Sequence, residues 1–90
     1  MPEQFEIILS KQSAKYYKKL SIDEARRLDR AFLLLEKDPL GSGDIQLLSV
    51  KPKRYRFRVG GLRIIYQIDT KKKLVLVSTI LPRGQIYRTL

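Results

Sequence analysis

Arginine occupies positions 54, 56, 58 and 63 in the stretch RYRFRVGGLR. Planar guanidinium groups make paired hydrogen bonds to phosphate oxygens and stack on bases. Four of them this close in sequence make a candidate floor for a phosphate-bearing polymer. Arg83, Tyr87 and Arg88 follow near the C-terminus. A phenol among arginines could take a proton, because neighbouring positive charge favours the phenolate, or it could stack on a base. Other chemistries are excluded by composition. The chain has no cysteine and no histidine, which removes disulfides, Cys/His zinc sites, Cys or Ser–His nucleophile systems and imidazole acid–base pairs. Neither a metal nor a cofactor is expected.

The charge distribution points the same way. The net charge is +10 over 90 residues. Residues 1–50 hold 8 basic and 8 acidic side chains, whereas residues 51–90 hold 11 basic ones and a single acid, Asp69. The whole excess lies in the last 40 residues. Such one-sidedness suggests a polyanionic partner. No apolar run reaches the roughly 20 residues of a membrane span, and no secretory signal opens the chain. A cytoplasmic protein without membrane contact is expected. Ninety residues, 43% hydrophobic, suit a single domain spanning 1–90.

The elements that must position these residues can be read from pattern. Phe5–Leu9 reads as a strand. Ser10 caps a helix over Lys11–Leu20, with Ala14, Tyr17 and Leu20 inward. Ser21-Ile22-Asp23-Glu24 is a capping box opening a second helix from Ile22 to Lys37. Its apolar stripe is Ile22, Ala25, Leu28, Phe32 and Leu35. Asp38-Pro39 ends it. Residues 39–53 read as a connection, with Leu47, Leu48 and Val50 tucked against the core. Arg54–Val59, Leu62–Asp69 and Leu74–Leu81 read as three strands. The fold class expected is therefore α+β: a strand, a two-helix hairpin and a three-stranded antiparallel meander, helices on one sheet face.

Gly60-Gly61 suits a two-residue hairpin, which fixes the register. Tyr55, Phe57, Val59, Leu62, Ile64 and Tyr66 then share the face turned to the helices. Arg54, Arg56, Arg58, Arg63 and Gln67 share the other, with Ile65 as its apolar exception. Arg58 and Arg63 are directly opposed. Like charges so placed destabilise a sheet by roughly 0.2–1 kcal/mol, which an anion-binding role would offset. Lys51, Lys53, Lys71, Lys72, Lys73 and Arg88 would extend the field of Arg54 along a bound RNA.

The stretches YRFRVGGLRIIYQI and LVLVSTILPRGQIYR resemble the RelE-type toxins of the RelE/ParE toxin–antitoxin superfamily, and the order of elements resembles that family's fold. The resemblance implies a ribosome-dependent endoribonuclease, an mRNA interferase that cuts translated mRNA in the ribosomal A site. It places the family's catalytic positions on Arg56, Arg58, Arg63, Arg83 and Tyr87. It also implies a cognate antitoxin, with the ribosome and its mRNA as further partners. Some members carry lysine where this chain has Arg56 and Arg58. Arginine keeps its proton, so neither residue can abstract one. Two alternatives remain: a ParE-like toxin that inhibits gyrase without cutting RNA, and a non-catalytic RNA-binding module. ParE-like chains generally lack the late arginine and tyrosine.

Overall fold

A computed structural model describes residues 4–41 and 44–82. The elements are β1 (Glu6–Leu9), α1 (Lys11–Lys18), α2 (Ile22–Lys37), β2 (Ile45–Val50), β3 (Lys53–Val59), β4 (Leu62–Asp69) and β5 (Leu74–Pro82). The strands form one sheet in the order β1-β5-β4-β3-β2. β1 runs parallel to β5, and the other neighbours are antiparallel. The α+β class and the helical hairpin on one sheet face are as expected.

Serines start both helices. The Ser10 hydroxyl accepts from the Ser13 amide at 3.1 Å, and the Ser21 hydroxyl accepts from the Glu24 amide at 3.2 Å. Each satisfies one of the amides that a helix start leaves without an internal partner. Glu24 closes the box through its carboxylate, 3.3 Å from the Ser21 hydroxyl. Leu28, Ala31 and Leu35 of α2 are buried with Phe57, Leu62, Ile64, Tyr66, Val75, Val77 and Ile80 from β3, β4 and β5. Tyr16, Tyr17, Leu20 and Phe32 pack around that cluster.

Three expectations differ from the structure. Residues 45–50 form a strand, β2, within the expected connection. A register shift between Leu47 and Ser49 breaks its side-chain alternation. The pattern IQLLSV therefore lacks the period-two signal, and backbone pairing to β3 holds the strand instead. Leu47, Leu48 and Val50 do not tuck inward: they are 51%, 43% and 68% exposed. Among the described residues α2 packs on β1 and β3, and these three side chains stay exposed at the edge of the sheet. Ile22 is 72% exposed, and Ala31 takes the place in the buried stripe that it was expected to fill.

The start of α1 is tied to β5 at a break in the ladder. The β4–β5 register skips Ser78, passing from Ile65↔Thr79 to Tyr66↔Val77. The Ser10 hydroxyl donates to the Ser78 carbonyl at 2.7 Å, and the buried Ser13 hydroxyl donates to the Val77 carbonyl at 3.2 Å. Gln12 pairs with both backbone groups of Ile80, at 3.1 and 3.2 Å, as a strand would. Side chains thus continue the pairing that β1 stops making at Leu9, and they fix the path of β5 toward the C-terminal residues.

Tyr66 links the core to the end of α2. It is fully buried, stacks on Tyr55 and donates to the Pro39 carbonyl at 2.6 Å. Burial, followed by the neighbouring Tyr55 and Asp38 charges, pushes its pKa well above the ordinary 10.0. At high pH the folded state therefore holds a proton that the unfolded state releases, and stability is lost as pH rises above the unfolded value. Tyr66→Phe should cost about 1–3 kcal/mol at pH 7, read as a lower urea midpoint, and should flatten the decline above about pH 10.

Candidate nucleic-acid interface

The candidate site begins with the β3–β4 turn. Gly60 has φ +56°, a conformation that disfavours any side chain. A Cβ there would also lie 3.3 Å from the Arg27 guanidinium. The turn sets Val59↔Leu62, Arg58↔Arg63, Phe57↔Ile64, Arg56↔Ile65 and Tyr55↔Tyr66, the register expected from sequence. Strand alternation then places Arg54, Arg56, Arg58 and Arg63 on the face away from the helices.

The four do not share one environment. Arg54 is exposed, and Arg56 and Arg58 are half-buried. Arg63, beside Arg58 on the neighbouring strand, is only 2% exposed and so closed from solvent. Arg56 donates to the Gln46 carboxamide oxygen across the β2–β3 pair. That contact orients one guanidinium, and sequence reasoning missed it because β2 itself was not foreseen. Among the described residues no carboxylate pairs with Arg54, Arg56 or Arg58. Their charge is available to a ligand.

The lysines lie elsewhere. Lys51 and Lys53 sit at the far end of β3 from the turn, and alternation turns Lys53 to the helix side. There it lines a pocket of about 450 Å³ with Phe5, Asp38, Leu40 and Tyr55. Lys71, Lys72 and Lys73 form the β4–β5 turn, and the Lys73 ammonium lies 5.1 Å from the centre of the Phe5 ring. The structure thus gathers Arg54, Arg56, Arg58 and Arg63 and leaves these five lysines apart from them. Arg83, Tyr87 and Arg88 lie outside the described residues.

A second group was legible but unread. Arg27 and Arg30 of α2 flank a groove of about 300 Å³ with Leu34, Phe57, Arg58 and Gly60. Their three-residue spacing puts them on one helix face, so positive charge continues from the hairpin around its tip. At the other end of the sheet the same face carries two acids. Asp69 pairs with Leu74, which in turn pairs with Glu6. The arginine face therefore carries its guanidinium groups toward the hairpin and two carboxylates near the β4–β5 turn, where Lys71, Lys72 and Lys73 also sit. Preorganised guanidinium donors can bind phosphate and stabilise charge that develops on it. They cannot accept a proton.

The chain matches the model of a protein family described as the ParE toxin of type II toxin–antitoxin systems, over residues 7–87. Among solved structures, it is similar to the archaeal RelE–RelB complex of Pyrococcus horikoshii. That match has 27% identity and a TM-score of 0.81, and covers 94% of this chain and 99% of the other. A RelB–RelE toxin–antitoxin complex of Mycobacterium tuberculosis matches at 21% identity and TM-score 0.74, over 89% and 99% of the two chains. The intact Escherichia coli RelB–RelE complex matches at 18% identity and TM-score 0.61, over 84% and 93%. No protein of curated function matches by sequence.

Replacing Arg56 with alanine should weaken binding of single-stranded RNA uniformly across sequences. It should also lower the slope of log affinity against log salt by about 0.7, the share of one phosphate contact. Fluorescence anisotropy at several salt concentrations reads both, and an unchanged slope would remove Arg56 from the phosphate-contacting set.

Proposed function

The chain belongs to the ParE toxin family of type II toxin–antitoxin systems, and on that premise we propose that it is an endoribonuclease acting on ribosome-bound messenger RNA. The observation that carries this reading is the arginine face. Three guanidinium groups on alternate residues of β3 stand on one side of a rigid hairpin, beside a fourth on β4. The likeness to the Pyrococcus RelE fold supports it further. The match to a ParE family model favours the second reading, a toxin that inhibits gyrase without cutting RNA.

The chemistry needs only the substrate and these side chains. The ribose 2′-oxygen attacks the adjacent phosphorus, a 2′-O–P bond forms, and the P–O5′ bond breaks in line with it. The 2′-hydroxyl proton passes to Tyr87 or to solvent water, the departing 5′-oxygen takes a proton from water, and the products are a cyclic phosphate and a free 5′-hydroxyl. Arg56 and Arg58 hold the phosphate oxygens and offset the charge that builds on them in the transition state. Arg63, closed from solvent, adds positive charge beside Arg58 on the neighbouring strand. Arg83, which lies outside the described residues, would contact the leaving-group side of the phosphate in this reading. Tyr87 either takes the 2′-hydroxyl proton or stacks on the base. A site of arginines lacks a strong base, which fits an enzyme whose RNA is held in reactive geometry by the ribosome. Positioning alone can contribute about 7–11 kcal/mol. A cognate antitoxin, acidic where it meets this face, would silence the protein by covering the arginines.

Primer extension on mRNA in a translating extract tests the reading. The wild type should cut at ribosome-occupied codons, and Arg56→Ala should cut about 10²-fold more slowly. Tyr87→Phe keeps the ring and loses the hydroxyl. Loss of cutting would assign proton transfer, and retained cutting would assign stacking. A folded protein that arrests growth and leaves every transcript intact would turn the assignment to gyrase.

A further inference from the structure

The face that carries the arginines changes character across its width. Tyr55↔Tyr66 pairing sets Arg54 beside Gln67, Gln67 pairs with Leu76, and Leu76 pairs with Ile8. One row therefore runs Arg54, Gln67, Leu76, Ile8 across β3, β4, β5 and β1. With strands about 4.8 Å apart, the row passes from cation to amide to aliphatic side chains over roughly 14 Å. The apolar end forms a groove of about 240 Å³ lined by Ile8, Leu9, Gln67, Leu76 and Ser78. Ile8 is 40% exposed at its rim.

Gln67 stands between the two halves. Its side chain is half-buried, and its carboxamide makes no hydrogen bond to any described residue. A carboxamide offers two donors and one acceptor oxygen. A purely aliphatic ligand would leave those groups unsatisfied. A free anion would meet aliphatic walls, with Glu6 and Asp69 at the same end of the face. The row suits a flat, partly apolar ring with donors and acceptors on its edge, attached to a phosphate about one strand away.

We infer that the groove seats one RNA base, with Gln67 hydrogen-bonded to its edge and Leu76 and Ile8 against its ring, beside the nucleotide whose phosphate lies on Arg54 and Arg56. The inference rests on the RNA reading above and adds a source of base preference to it. Arginine contacts to phosphate carry no sequence information. A carboxamide against a base edge does.

The test uses the full chain and two uncleavable probes of equal charge: a 2′-O-methyl RNA trimer and its abasic counterpart. Both are followed by NMR. Both should shift the guanidinium signals of Arg54 and Arg56. Only the base-bearing trimer should shift the Gln67 side-chain amide and the methyls of Ile8 and Leu76. Gln67→Ala should weaken the base-bearing trimer about three- to tenfold and leave the abasic one unchanged. Gln67→Glu, which keeps the size and loses the donors, is the second variant. Equal binding of the two trimers, untouched by either variant, would overturn the base seat while the RNA reading stands. Absence of any shift at the arginines would overturn both.

Discussion

A two-residue turn between β3 and β4 decides how this small protein divides its surface. Gly60 adopts a backbone conformation that side chains disfavour, and the turn allows one register. A slip of one residue would carry Tyr55, Phe57 and Val59 to solvent and send Arg54, Arg56 and Arg58 into the core. Burying unpaired cations is so costly that the register is fixed from both faces at once. The same constraint that builds the core therefore aligns the arginines.

That alignment works against stability. Arg58 and Arg63 are opposed across the ladder, and Arg63 is closed from solvent. A sheet shaped by stability alone would place β-branched or oppositely charged side chains there. The cost makes sense if the face holds an anion, because guanidinium groups fixed before a ligand arrives need not reorganise when it does.

The helices contribute more than a cover for the apolar face. Ser10 and Gln12 pair with the Ser78 carbonyl and both backbone groups of Ile80, and Ser13 adds a second donor to the Val77 carbonyl, which also accepts from the Ser10 amide. They replace a strand neighbour with side chains of α1. The last strand is therefore held along its length up to Ile80, two residues before the described chain ends at Pro82. On the opposite flank β2 is held by its backbone pairing to β3, by Ile45 against the core and by the Gln46 and Ser49 side chains, with Leu47, Leu48 and Val50 outward.

Much of this was present in the sequence. Period-two alternation and a Gly-Gly turn are local signals, so the hairpin, its register and the sharing of a face by Arg54, Arg56, Arg58 and Arg63 followed from them. Serine caps at Ser10 and Ser21 and the proline after α2 marked the helices for the same reason. The resemblance carried by residues 54–87 reached the toxin superfamily before any coordinates. What tertiary structure alone decided depends on neighbours far along the chain. β2 is a strand because β3 pairs with it, and a bulge erased the alternation that would have announced it. Burial set Arg63 apart from Arg56, although their types and face are the same. The contact of Gln46 with Arg56, the approach of Arg27 to Gly60 and the row from Arg54 to Ile8 each join segments separated by 10 to 68 residues. Only the packed sheet brings such segments together.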